Sequence, residues 1–292
     1  MDAIFNKLKQ TFSSGNILTK LLFINAGVFI IVRLLDVCFT LFNFHGFSIL
    51  PWLQLPSLPP LLLQKPWTLI TYMFTHFDFW HILFNMLLLY VFGRIFLEFF
   101  NLRQMGGVYI LGGIAGGLLF LLAYNFIPYF QRESGSVLMG ASASVMAIVF
   151  AVSFYRRDYE IGLLFIGRIK LIYVALAVFL IDILSITSGN AGGHIAHLGG
   201  AFLGIWFASR IHAGKDLTAP LNRLIDRIAN LGKRKPQMKV TYNKRTETTY
   251  EYNARKNAGI AEIDAILDKL KQSGYSSLSS EEKKKLFDAS KK

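Results

Sequence analysis

The chain has 292 residues, of which 53% are hydrophobic and 17% charged, where soluble domains carry about a quarter charged residues. Its formal net charge is +13, and most of the excess lies in the first twenty and the last eighty residues. This pattern excludes an ordinary soluble enzyme. It also argues against nucleic acid as a partner, because basic segments flanking apolar runs are explained by anionic lipid, and the single Cys38 excludes an intrachain disulfide.

Residues 1–19 read as a cytoplasmic N-terminal segment with Lys7 and Lys9. From Leu21 to His212 there are only ten Lys or Arg and seven Asp or Glu, set between runs such as "ILFNMLLLYVFG" and "LIYVALAVFLIDIL". Apolar runs of about 17–25 residues read as transmembrane helices. The first span covers about 20–42; it is long and lacks a small-residue cleavage site after it, so it reads as a retained span and not a removed signal. Inside it, Arg33 and Asp36 stand three apart and form an internal ion pair. The segment 43–67, "NFHGFSILPWLQLPSLPPLLLQKPW", is too rich in proline to span and too apolar to be a solvated loop. It is expected in the membrane interface, where Trp52 and Trp67 are comfortable.

Further spans are expected at about 80–100, 106–127, 140–156, 169–187 and 194–212. The glycine pairs Gly112/Gly116 and Gly113/Gly117 in the third read as helix-packing surface. Asp182, in the fifth, could line a water-filled cavity or be the third member of a triad, and is given a structural or hydrating role. Residues 213–258 read as a basic polar linker and 259–292 as a small helical soluble extension. In the latter, Ile263, Ile266, Leu267 and Leu270 share a face, Gly274 ends the first helix and Ser280 caps the second. The fold class is therefore an all-α membrane protein, a six-transmembrane-helix bundle with a small helical C-terminal extension.

Lys and Arg crowd one set of loops (Lys20, Arg94, Arg103, Arg156, Arg157, Arg168, Lys170 and the tail), leaving Lys65 and Arg132 in the other. The positive-inside rule then puts both termini in the cytoplasm and starts the second, fourth and sixth spans at the outer side. The strongly polar residues of the spans fall at these three starts. His76, His81 and Asn85 open the second, Ser142 and Ser144 the fourth, His194 and His197 the sixth.

Polar side chains are costly in hydrocarbon, so three clusters at one depth imply a shared task. A serine becomes nucleophilic when a neutral imidazole takes its proton, and the tetrahedral intermediate then needs donors at its oxyanion. His81 and Asn85, four apart, project from one helix face as candidate donors. Gly140, two before Ser142, and Gly200 with Gly204, after His197, remove side chains so that the fourth and sixth spans approach closely. The histidines with Asp78 are a poor zinc set, lacking thiolate or further carboxylate, and no metal or cofactor is expected.

"GASA" at 140–143, "AHLGG" at 196–200 with Gly204, and "HFDFWHILFN" at 76–85 together resemble the three motifs of the rhomboid intramembrane serine proteases, over roughly residues 20–212. The resemblance implies a rhomboid protease domain with Ser142 as nucleophile, His197 as general base and acid, and an oxyanion held by the Ser142 N–H, His81 and Asn85. It places His76 at the water-accessible entrance and leaves Ser144 as a packing neighbour and His194 on an adjacent face nearer the water. Three positions depart from the family pattern: Ala143 stands for the usual glycine, Met146 for an aromatic, and Thr68 for the arginine beside Trp67. The implied substrates are single-span membrane proteins in a lipid bilayer, entering past the fifth span. The expected location is a bacterial plasma (inner) membrane with the site opening outward. The alternative is a catalytically inactive relative that binds transmembrane helices for quality control or trafficking, and a small transporter is a third reading.

Overall fold

The computed structural model describes residues 2–44, 48–133, 135–163, 167–187, 189–231 and 249–290. The chain divides into two compact units, Met1–Leu231 and Gly232–Lys292. In the first unit, α1 (Asp2–Ser14) leads into α2 (Ile17–Leu41), where Asn16 accepts the Thr19 N–H at 3.0 Å and so caps the first turn. The ion pair read from the sequence is present within α2, with Arg33 Nη1 at 3.2 Å from Asp36 Oδ2.

The proline-rich stretch that follows folds against the bundle. Its strand β1 (Leu55–Pro56) leads to the short helices α3 (Pro59–Gln64) and α4 (Thr68–Thr71). Two membrane helices come next, α5 (Phe79–Phe99) and α6 (Leu102–Phe126), the latter started by a reciprocal capping box between Asn101 and Gln104. A single turn, α7 (Pro128–Gln131), precedes β2 (Val137–Leu138), which pairs antiparallel with β1 in the register Leu55 opposite Leu138. That pairing ties the first loop to the entrance of α8 (Ser142–Tyr155). A hairpin of β3 (Glu160–Leu163) and β4 (Gly167–Lys170) then leads to α9 (Leu171–Leu184), followed by α10 (Ala191–His212) and α11 (Ala219–Ala229).

The expected spans are all helical, as an all-α membrane bundle requires. By length and composition α2, α5 and α6 are long and apolar enough to cross a membrane, whereas α8 and α9 have fourteen residues each. At about 1.5 Å per residue, fourteen residues reach about 21 Å, short of a hydrocarbon core about 30 Å thick. A helix that is apolar all round belongs in the interior, and every residue of α8 from Ala143 to Ser153 is buried. Lipid-facing side chains lie instead on the outer helices, for instance Ile30, Ile31 and Leu34 on α2, Trp80 and Phe84 on α5, and Leu180 and Leu184 on α9.

Small residues let α8 sink between α6 and α10. A Cβ on Gly112 would collide with the Ala147 methyl group, and one on Gly116 would stand 2.5 Å from that of Ala143. On the other side, Cβ atoms on Gly200 and Gly204 would collide with the carbonyl oxygens of Ala143 and Ala147. The pairs 143/200 and 147/204 keep one sequence offset, so α8 and α10 run parallel in close register. The stretch 213–258, read from composition as linker, contains α11, which docks on α6. Thr218 is buried against Gly107, and Arg103 binds Asp226 at 2.9 Å.

The second unit holds α12 (Thr249–Ser273) and α13 (Ser280–Ala289), joined through Gly274 at φ +76°. Of the four apolar residues expected on one face, Ile266 is buried and Leu267 exposed. The cap of α13 is Ser279, one residue before the expected Ser280, and it shares a capping box with Glu282. Most of the basic stretch before α12 lies outside the described residues.

Substituting Gly200→Ala is expected to cost about 1–3 kcal/mol through overpacking. Gly27→Ala, on α2 with nothing within 4 Å of the added Cβ, is the neutral control. Thermal unfolding in detergent checks both, with the midpoint falling for Gly200→Ala alone.

Candidate active site

The site assembles at the N-terminal ends of α5, α8 and α10. Asp78 caps α5 by accepting the His81 N–H at 2.9 Å, which fixes the turn carrying His81. Asn85, one turn on and buried, donates one amide N–H to the His81 carbonyl at 2.8 Å and keeps a second N–H for another acceptor. His76 is fully buried before the helix, and its Nε2 accepts the Ala141 N–H at 3.2 Å. An accepting Nε2 means that the proton of the neutral ring sits on Nδ1. That nitrogen has no hydrogen-bond partner among the described residues. The His76 and His81 rings meet edge to face, 5.1 Å apart.

The turn into α8 is held from the first loop: Gly140 N–H donates to the Tyr72 carbonyl at 2.9 Å. Gly140 has φ +119°, a conformation that disfavours side chains, and a Cβ there would stand 2.7 Å from the His81 imidazole. Glycine at 140 thus serves both the turn and the seat of His81. Ala141, the N-cap residue, has no side-chain acceptor to offer, so α8 begins with its first backbone N–H groups uncapped.

Ser142 is the first residue of α8 and is half-buried. Ser144, two residues on and so about 200° around the helix, is fully buried with its Oγ 3.8 Å from the Met73 sulfur. The two hydroxyls therefore face different surroundings, Ser142 the polar turn and Ser144 the packed core. Ala143 fits because its methyl group meets Gly116, which has none. Met146 is buried in the same core.

On α10, His197 precedes Gly200 by three residues and shares its face, which is the face pressed on α8. The Nδ1 of His197 is 2.9 Å from Asp182 Oδ1, and the Nδ1 of His194 is 2.8 Å from the same oxygen. His194, expected on an adjacent face nearer water, has a side chain 19% exposed against 16% for His197. The shared carboxylate draws both rings to one place. Asp182, weighed in the sequence as a possible triad member but given a structural or hydrating role, is the carboxylate that meets both imidazoles.

The Trp67 indole stacks on Trp52 at 6.2 Å, and its Nε1–H donates to the Trp52 carbonyl at 2.9 Å. Lys65 lies over the Trp52 ring at 4.5 Å, while the buried Thr68 hydroxyl donates to the Lys65 carbonyl. A lysine two residues before Trp67 thus supplies the cation on this pair of rings.

One donor set has the composition of a metal site. Ligand atoms of Asp182, His194 and His197 lie within 4.8 Å of one another. Both imidazole Nδ1 atoms are already within hydrogen-bonding distance of the carboxylate, so an ion would have to displace both bonds.

The family model described as "Rhomboid domain" matches residues 63–213, a range that holds all these side chains, and a "Family of unknown function (DUF6576)" matches 249–292. The chain is 30% identical over 218 residues to "RHOMBOID-like protein 12, mitochondrial" of Arabidopsis thaliana, covering 70% of this chain and 61% of that protein. It is 26% identical over 145 residues to "Presenilin-associated rhomboid-like protein A, mitochondrial" of Danio rerio. Over 160 residues it is 25% identical to "Presenilin-associated rhomboid-like protein, mitochondrial" of Homo sapiens. The matches to these last two cover 48% of this chain and 36% of each relative. These relatives are all named as mitochondrial, which overturns the expectation of a bacterial plasma membrane and, with it, the cytoplasmic label on the basic side. Charge asymmetry orients a chain within a membrane and carries no address for the membrane itself.

Gly140→Ala should cost about 2 kcal/mol or more, combining a positive φ with displacement of His81. Gly135→Ala, at φ +96° with open space around it, isolates the conformational part. The difference between their unfolding midpoints measures the seat of His81, and equal midpoints would show that the ring is not held there.

Proposed function

The chain belongs to the rhomboid family, and from that premise we propose that it is an intramembrane serine endopeptidase. Ser142 Oγ attacks a peptide carbonyl while His197 Nε2 takes its proton. The oxyanion that forms meets the Ser142 N–H, the free amide N–H of Asn85 and the His81 imidazole. His197 then protonates the leaving amine, and water, activated by the same imidazole, hydrolyses the acyl-enzyme. The observation that carries this reading is the uncapped start of α8. Ser142 sits at a helix N-terminus whose backbone donors are unclaimed by a cap, beside His81 and on the side where α10 presents His197. Unclaimed N–H groups and the helix dipole both favour developing negative charge there.

The short length of α8 supports a substrate that is itself a membrane helix. Fourteen residues fall short of the hydrocarbon thickness, which supports a nucleophile set below the membrane surface, to which a scissile bond must descend. A closed helix hides its carbonyls within its own hydrogen bonds, so single-span proteins whose helices unwind readily near this end are the fitting substrates. Water must reach the same depth, and the half-buried polar cluster of Ser142, His81, His194 and His197 gives it a path.

The test is labelling of the purified chain by a fluorophosphonate. Wild type and Ser144→Ala are expected to label, while Ser142→Ala does not. Loss of one oxyanion donor, in His81→Ala, should slow labelling by about 10²–10³-fold. An unlabelled wild type, or labelling that survives Ser142→Ala, overturns the proposal and favours the inactive, helix-binding reading.

A further inference from the structure

Asp182 stands in the last turn of α9 and is 5% exposed. A buried carboxylate in a membrane helix is expensive unless its charge is met by donors. Here one oxygen, Oδ1, meets both His194 and His197. The other buried residues of α9 are Leu171 and Ala175, so the carboxylate is the only buried side chain in the half of the helix nearest the site.

An ionised carboxylate can only accept. Both imidazoles therefore donate from Nδ1, and both present a bare Nε2. For His197 this is the tautomer that a base for Ser142 requires, because the accepting nitrogen is the one left free to face α8. Without an acceptor at Nδ1 the ring exchanges tautomers and turns about its own bond, and part of the population shows Ser142 an N–H in place of a lone pair.

We propose that Asp182 is a positioning residue, which fixes His197 in the Nδ1–H tautomer and aims its Nε2 at Ser142. His194 is the second donor that holds the carboxylate ionised and in place. The inference rests on the serine-protease reading above. In the step concerned, the Ser142 Oγ–H bond breaks and an Nε2–H bond forms on His197. The Nδ1 proton stays on the ring, and Asp182 stabilises the imidazolium without taking a proton.

The experiment measures the rate of fluorophosphonate labelling of the full chain in detergent, for wild type and three variants checked for equal thermal midpoints. Asp182→Ala is expected to slow labelling at least about a hundredfold, as loss of the orienting acid does in serine hydrolases generally. Asp182→Asn keeps the shape but brings an N–H that can donate to Nδ1 and favour the Nε2–H tautomer, so it should recover little or none of that loss. His194→Ala should slow labelling by about fivefold or less, the worth of one hydrogen bond. A carboxylate that merely fastens α9 to α10 predicts the opposite sign, since freeing α9 opens the site. Labelling of Asp182→Ala at or above the wild-type rate overturns the proposal.

A second readout does not depend on activity. The ¹⁵N side-chain resonances of His197, assigned by their loss in His197→Ala, should show protonated Nδ1 in wild type, mixed tautomers in Asp182→Ala and a larger Nε2–H share in Asp182→Asn. If wild type fails to label, the protease reading falls and the spectrum still decides the role of Asp182. Mixed tautomers in wild type overturn it.

Discussion

The closeness of α8 to its neighbours governs the arrangement of this molecule. A fourteen-residue helix cannot cross a bilayer and has no lipid-facing side to hold it, so packing on all sides must hold it. Glycines on α6 and α10 admit its backbone where any side chain would collide. Between membrane helices there is no hydrophobic driving force of the kind that operates in water; close van der Waals contact takes its place. The depth of Ser142, the register of His197 and the burial of Ser144 all follow from that contact. The first loop adds a second restraint, through the β1–β2 pairing and the bond from Gly140 to Tyr72, at the point where the helix begins.

Much of this was legible in the sequence, for physical reasons that can be named. Apolar runs register directly as helices because lipid allows few other solutions. Ser142 was set apart from Ser144 by the resemblance, through its spacing from Gly140, and the structure gives the two different burial. The offsets of Gly140, Gly200 and Gly204 were legible because only close approach gives glycine a reason to recur at those spacings. Less local features were not. The docking of α11 on α6 depends on Thr218 finding Gly107 and on Asp226 finding Arg103, contacts more than a hundred residues apart that leave no period in the sequence. The convergence of His194 and His197 on one oxygen depends on α9 setting Asp182 beside α10, which no spacing within the sixth span encodes.

His76 and His197 are held in different ways. His76 uses its Nε2 to hold the backbone of the turn into α8, while His197 is held through its Nδ1, and its Nε2 makes no hydrogen bond among the described residues. The same side chain thus serves once as a strut and once with a ring nitrogen to spare, and the difference is made by which nitrogen is occupied. The rhomboid match ends at residue 213, and α12 and α13 fall in the separate match to a family of unknown function over 249–292; their capping box and buried Ile266 describe a small unit with its own local order.

The methyl group of Ala143 has a history written into its neighbour. It occupies space that Gly116 leaves empty, so the alanine on α8 and the glycine on α6 are two halves of one volume. The two halves are not equal, however: a side chain at 116 is refused by the Ala143 methyl group and also by the Ala196 carbonyl oxygen, 2.7 Å from the Cβ it would add, while glycine at 143 leaves a void that 116 does not fill. Position 116 is thus closed from two helices at once, and emptying 143 does not open it. Variation at this seam has one direction only, from the α8 side.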